Sequence, residues 1–427
     1  VKKANSFPIT NFTEFRNKML NWVQPFNIFC FLDNRQYNFE TPAFECLLAA
    51  GCKRSIEINA GNAFEMLKDF SSNKNEWLFG HLGYDLKNET EQLVSANFDG
   101  IDFPDCHFFL PEIVLELSKC ELTIHCDGDA ELIFNAIESS DSFIAKKTTH
   151  PLVIQNRISA TDYISTVKQL QQHILRGDCY EINFCQEFFA TDAIIYPLSV
   201  YDSLTNISPN PFSALYKLNE RYCLCASPER YFKKNGQTIY SQPIKGTAKR
   251  NLENIELDEL NRQRLITSEK EKSENVMVVD LVRNDLSKVC EQGTVKVNEL
   301  FGIYSFPQVH QMISTISGRL EESTDWIDVV RATFPMGSMT GAPKKRVMEL
   351  IEQFEQTKRG LFSGAIGYVT QTGDADFNVV IRSILYNAST NYVSFQAGSA
   401  ITFYCDAEEE YKECLLKAAS MKQVLEA

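Results

Sequence analysis

The tightest constraint on how this chain can fold is local, at Asn235-Gly236. These two residues sit between extended runs in Tyr231-Phe-Lys-Lys-Asn-Gly-Gln-Thr-Ile-Tyr240. Both tolerate positive φ, so the stretch reads as a tight β-hairpin. One arm begins at Ser227-Pro-Glu-Arg230 and the other runs into Pro243-Ile-Lys-Gly-Thr247, which places a carboxylate, Glu229, and an amine, Lys245, near the open end. Gly246 directly after the lysine marks a point where a small molecule or another backbone can come close. With Asn235-Gly236 as the two loop residues, Glu229 pairs with Gln242 and Lys245 with Ala226. Alternation then sends the two side chains to opposite faces. Pro228 and Pro243 are compatible with a bulge or strand end, which would bring them back together.

Charge and cysteine usage narrow the setting. The formal net charge is −14, and no Lys/Arg block offsets it, which argues against nucleic acid or an anionic membrane as partner. The 13 cysteines are scattered without a C-x-x-C pair, and six histidines give no zinc-like spacing. Reduced, mostly buried thiols in a cytoplasmic protein are expected. The first residues lack the apolar core of a signal peptide, and no run of about 18 apolar residues occurs.

Along the chain, residues 1–145 mix strand-like runs with short helical patterns and carry no chemical constellation; His81, His107 and His125 read as ordinary histidines. A polar, irregular stretch ending near Pro151 separates them from residues 150–427, although both regions are compatible with one structural unit. A helix capped by Ser159 or Thr161 carries Tyr163, Val167, Leu170 and Ile174 at helical spacing and stops at Gly177. A strand follows, with Glu181, Asn183 and Cys185 on the face opposite Ile182 and Phe184. Leu252–Val289 reads as mostly helix, with Glu271 and Glu274 three residues apart on one face. The last helix, from Asp406 to about Leu425, repeats the pattern with Glu410 and Glu413. Such pairs are common on solvated helices, but two of them on separate helices also offer the oxygen ligands and open positions a hard divalent ion needs. Pro335–Pro343 is a glycine-bearing loop before the helix Lys344–Phe354; its spacing excludes a Walker A loop. Phe377–Ser383 reads as a strand containing Arg382, a guanidinium suited to clamping a carboxylate.

In their order, Ser227-Pro-Glu-Arg, Pro243-Ile-Lys-Gly-Thr, the run from Glu274-Asn to Asp285, the Gly341-Ala-Pro loop, Ser363-Gly-Ala-Ile-Gly-Tyr368 and Ala397-Gly398 followed by Glu410-Tyr-Lys-Glu413 resemble the chorismate-utilising enzymes. The likeness runs from about Ser159 to the C-terminus. Lysine in Pro-Ile-Lys-Gly-Thr is similar to aminodeoxychorismate synthase component I, whereas anthranilate synthases typically have alanine there. The resemblance implies an α+β fold of large, mainly antiparallel sheets packed face to face with helices outside. It implies Lys245 as nucleophile, Glu229 as general acid/base, and Mg²⁺ held by Glu274 and Glu410 with Glu271 and Glu413 beside them. Thr247, His310, Gly341, Ala342, Tyr368, Arg382 and Gly398 are the implied substrate-binding positions. The implied substrate is chorismate, aminated with ammonia from a separate glutamine amidotransferase subunit. Anthranilate or isochorismate synthesis and a non-catalytic chorismate-binding relative stay open as alternatives. Glu181, where ammonia-using members usually carry glutamine, Ala400 in place of glycine and Ala407 in place of proline depart from the family pattern.

Overall fold

A computed structural model describes residues 3–37, 44–73, 75–146, 151–306 and 309–427. Among the described residues the chain builds two sheets, of 12 and 10 strands, whose paired strands run antiparallel. Early and late segments interleave in both. Ile28–Asp33 pairs with Phe212–Leu218 in the larger sheet, and Leu78–Leu82 pairs with Ala365–Val369 in the smaller. The division expected near 145–150 falls partly outside the described residues.

Packing follows from which face of each strand is apolar. Between the sheets, Cys30, Leu47, Val114 and Tyr216 of the larger meet Phe79, Phe109 and Ile366 of the smaller. On the far side of the larger sheet, helices Phe12–Trp22, Ala160–Leu175, Pro197–Ile207 and Ala407–Leu425 bury Met19, Tyr163, Leu204 and Met421. Helices Ala63–Phe70, Glu269–Leu286 and Trp326–Thr333 cover the smaller sheet through Phe64, Val279 and Ile327. Each such side chain contributes roughly 1.5–3 kcal/mol by leaving water. The result is the α+β arrangement of face-to-face antiparallel sheets with helices outside. No helix among the described residues is long and apolar enough to cross a membrane, and all 13 cysteines are free thiols.

At four places the structure refines or corrects the local reading. The hairpin forms, but Asn235 pairs with Thr238, so its loop is Gly236-Gln237, with Gly236 at φ 56°; glycine at the first loop position suits a two-residue turn. The stretch expected to be mostly helix is so, as two helices, Ile255–Thr267 and Glu269–Leu286. Ser268, extended at the junction, ends the first and caps the second by accepting the Glu271 N–H at 3.3 Å. The strand starting at Glu181 turns its polar side inward. It is buried almost throughout because Tyr392–Thr402 flanks it on one side and helices cover it. Arg382 lies outside any strand: Ala375–Asn378 ends in the smaller sheet, Ser383–Asn387 begins in the larger, and Arg382 sits at the crossover with φ 53°.

Candidate active site

The site gathers where the start of the Glu181–Ala190 strand meets the open end of the hairpin, beneath the helices Glu269–Leu286 and Ala407–Leu425. A bulge makes the hairpin converge. Between Lys233 and Arg230 the first arm advances three residues while the second advances two, from Tyr240 to Gln242. With Arg230 opposite Gln242, Glu229 falls opposite Pro243, two residues from Lys245 and on its face. A second register shift lies between Ile244 and Thr247. Gly246 accommodates it at φ 95°, where a Cβ would come within 3.1 Å of Glu271 Oε2 and Leu265 Cδ1.

Lys245 is held in this pocket with its side chain 11% exposed. Its Nζ donates to Glu181 Oε1 at 2.8 Å. Burial alone would lower the lysine pKa, but the carboxylates of Glu181, Glu274 and Glu229 outweigh it and hold the ammonium above its ordinary value. Glu229, 4% exposed, accepts the Ser338 hydroxyl at 2.6 Å and the Ile244 N–H. Burial dominates nonetheless and raises it to about 7, against the pull of Ser338 and Lys245. The result is a carboxyl poised to donate or accept a proton near neutrality.

The two Glu-x-x-Glu pairs differ internally. Glu274 and Glu410 are 9% and 2% exposed, and Glu274 Oε1 and Glu410 Oε2 are buried without a hydrogen-bond partner. Lys270 Nζ approaches both, 3.3 Å from Glu410 Oε1 and 3.9 Å from Glu274 Oε1. Burial raises Glu274 to about 7, with Glu181 and Glu271 adding to it and Lys245 and Lys270 opposing. Orphaned buried carboxylate oxygens call for a cation. Among the described residues no three His, Cys, Asp or Glu side chains could hold a metal by themselves. A Mg²⁺ ion held here through Glu274 and Glu410 would have to fill its remaining positions with water and substrate oxygens. Glu271 is raised by its burial, whereas Glu413 turns to Lys417 at 2.7 Å and is held below its ordinary value despite burial.

The remaining positions divide. Gly341, at φ 142°, and Ala342 form a short strand against Glu181 and Ile182; a Cβ on Gly341 would collide with the Glu181 carbonyl at 2.1 Å. Gly398 pairs with Cys185, and its carbonyl accepts from Lys417 Nζ at 3.1 Å. Arg382 donates to the Lys417 carbonyl at 3.0 Å and, among the described residues, has no carboxylate within ion-pair distance. Three positions are not drawn in. His310 bonds to Ser305 and Asp258, and Thr247 is exposed, opposite Gln311. Tyr368 packs with Phe44, Trp77 and Phe79. His81 and His107 share the Tyr216 hydroxyl in the core, and His125 pairs with Glu116.

Three residues went unrecognised in the sequence. Ser338 lay within the Pro335–Pro343 loop, but nothing in that loop singled it out. Asn183 anchors the loop by donating to the Ser338 carbonyl at 2.8 Å; its place on the polar side of the strand was the available signal. Lys270 sits beside Glu271 without any local mark of its role.

The chain as a whole has known relatives. A family model described as chorismate binding enzyme matches residues 28–423. The chain is 33% identical over 355 residues to an anthranilate synthase component I-like protein of Synechocystis, covering 82% of this chain and 72% of that one. It is likewise 33% identical to aminodeoxychorismate synthase component 1 of Klebsiella aerogenes, over 82% and 77%. Anthranilate synthase component I from Streptococcus pneumoniae superposes with a TM-score of 0.76 at 25% identity, over 90% of this chain and 94% of that one. With the match spanning nearly the whole chain, this protein belongs to the chorismate binding enzyme family.

Proposed function

We propose that this chain aminates chorismate at C4, giving 4-amino-4-deoxychorismate on the route to para-aminobenzoate and folate, with ammonia supplied by a separate glutamine amidotransferase subunit. The observation that carries the reading is Lys245 itself: an amine enclosed by carboxylates, on the same face as a carboxyl poised near 7. Similarity to aminodeoxychorismate synthase component 1 of Klebsiella aerogenes supports it. Chorismate is a dianion with a poor leaving group, the C4 hydroxyl. Lys245 adds at C2 while Glu229 protonates the departing hydroxyl; ammonia then adds at C4 and expels the lysine. Glu274 and Glu410 would hold Mg²⁺, with Glu271 and Glu413 at its margin. When bound, the ion supplies charge neutralisation at the ring carboxylate and withdraws electron density from the diene. Arg382, which among the described residues has no carboxylate within ion-pair distance, would receive a substrate carboxylate.

The test is product identity. The purified chain is incubated with chorismate, Mg²⁺ and ammonium at mildly alkaline pH, and the products are resolved by mass. Aminodeoxychorismate, lost on adding EDTA, is expected. Anthranilate or isochorismate would overturn the assignment in favour of those activities, and unchanged chorismate would favour a binding protein without turnover.

A further inference from the structure

The proposed reaction leaves one proton without an acceptor. Lys245 must lose a proton before its nitrogen can attack, and its Nζ donates to a buried carboxylate, Glu181 Oε1, at 2.8 Å. Five carboxylates face it: Glu181, Glu229 and Glu274, with Glu271 and Glu413 further out. Glu229 cannot serve, because the same step requires it as a proton donor, and its oxygens are engaged by Ser338 and the Ile244 N–H. Among the described residues the lysine nitrogen has one hydrogen-bond acceptor, Glu181 Oε1. Glu181 is 1% exposed, so bulk water does not compete for the position. Its other oxygen, Oε2, is buried with no partner, an uncompensated arrangement that a purely structural ion pair would not need.

We propose that Glu181 is the base that takes the proton from Lys245 and later returns it. The inference rests on the reading given above. In the first half, the Nζ–H bond breaks and Glu181 Oε1–H forms. The freed pair makes the Nζ–C2 bond, the C1=C2 pair moves to C1–C6, the C5=C6 pair moves to C4–C5, and the C4–O bond breaks as the oxygen takes the Glu229 proton and leaves as water. In the second half, ammonia bonds to C4, both double bonds shift back to C5=C6 and C1=C2, and the C2–Nζ pair returns to nitrogen. Lys245 then recovers its proton from Glu181, while the new ammonium at C4 gives one to the Glu229 carboxylate. Net, chorismate and ammonia give amino product and water, and both carboxyl groups end as they began.

The experiment compares wild type, Glu181→Gln, Lys245→Ala and the double variant, with chorismate, Mg²⁺ and a fixed concentration of free ammonia across pH. For Glu181→Gln the expected result is a kcat loss of about 10²- to 10⁴-fold near neutrality and a KM for chorismate within about threefold of wild type. Residual activity should climb about tenfold per pH unit into the alkaline range, where wild type does not, because the lysine must then lose its proton to solvent. The double variant should be no slower than Lys245→Ala, since the two residues act as a unit. Wild-type kcat in Glu181→Gln, or the same loss at every pH, would overturn the inference. If the amide variant does not fold, Glu181→Asp replaces it. That variant should be slower with the wild-type pH profile, and an alkaline-shifted profile would overturn the inference. Failure of the function reading is distinct: wild type would make no amino product, whatever Glu181 does.

Discussion

Replacing Glu229 by glutamine should stabilise the protein above neutral pH while removing most of its activity. Burial raises this carboxyl from 4.5 to about 7, which corresponds to about 3 kcal/mol against its charged form. The sign follows from linkage. Between these two values the unfolded chain loses the proton and the folded one keeps it, so stability is full below 4.5 and falls as pH rises through 7. Glutamine has nearly the same shape, can still accept from Ser338 and from the Ile244 N–H, and carries no charge. Thermal midpoints of wild type and Glu229→Gln should therefore nearly coincide at pH 4.5. They should separate in favour of the variant by pH 8, with most of the separation arising between pH 5 and 7. Turnover, lacking the proton donor, should fall about 10²- to 10⁴-fold. A wild type as stable as the variant at pH 8, or a gap independent of pH, would refute the claim that Glu229 is held protonated by burial.

Further expectations concern the same pocket. Ser338→Ala removes a hydrogen bond that favours the charged form of Glu229, so the alkaline limb of the pH–rate profile should move to higher pH; an unmoved limb would show that this bond does not tune the acid. Gly246→Ala places a methyl group against Glu271 at a backbone angle side chains rarely adopt. The strain is of order 1–3 kcal/mol, and turnover should fall together with Mg²⁺ affinity, measured by titration calorimetry. Because burial raises Glu274 to about 7, Mg²⁺ binding should strengthen as pH rises from 6 to 8 and release protons, detectable as a buffer-dependent binding heat. A heat that does not vary between buffers would count against Glu274 as a ligand.

What the sequence disclosed depended on how local each signal was. The hairpin and the two Glu-x-x-Glu pairs were readable because turn chemistry and helical spacing act over a few residues. The hairpin register was not, because a one-residue bulge reverses facing and is set by neighbouring strands. Ser268 could cap a helix, but nothing nearby required it to end another. Arg382 lies in an apolar run that reads as strand, whereas the chain there crosses between sheets. Aromatic Tyr368 and imidazole His310 carry no mark of which layer they enter. Glu181 stood out only as a departure from the family pattern; its ion pair with Lys245 joins residues 64 apart in sequence and needs the fold to be seen.

The most direct test asks whether Lys245 bonds to the substrate. Wild-type protein is mixed with chorismate and Mg²⁺ without ammonia, quenched, digested and mapped by mass. The expected result is a Lys245 peptide carrying the mass of chorismate less one water, which disappears when ammonium is added before the quench. An unmodified Lys245, together with a Lys245→Ala variant that still forms the amino product, would contradict the account.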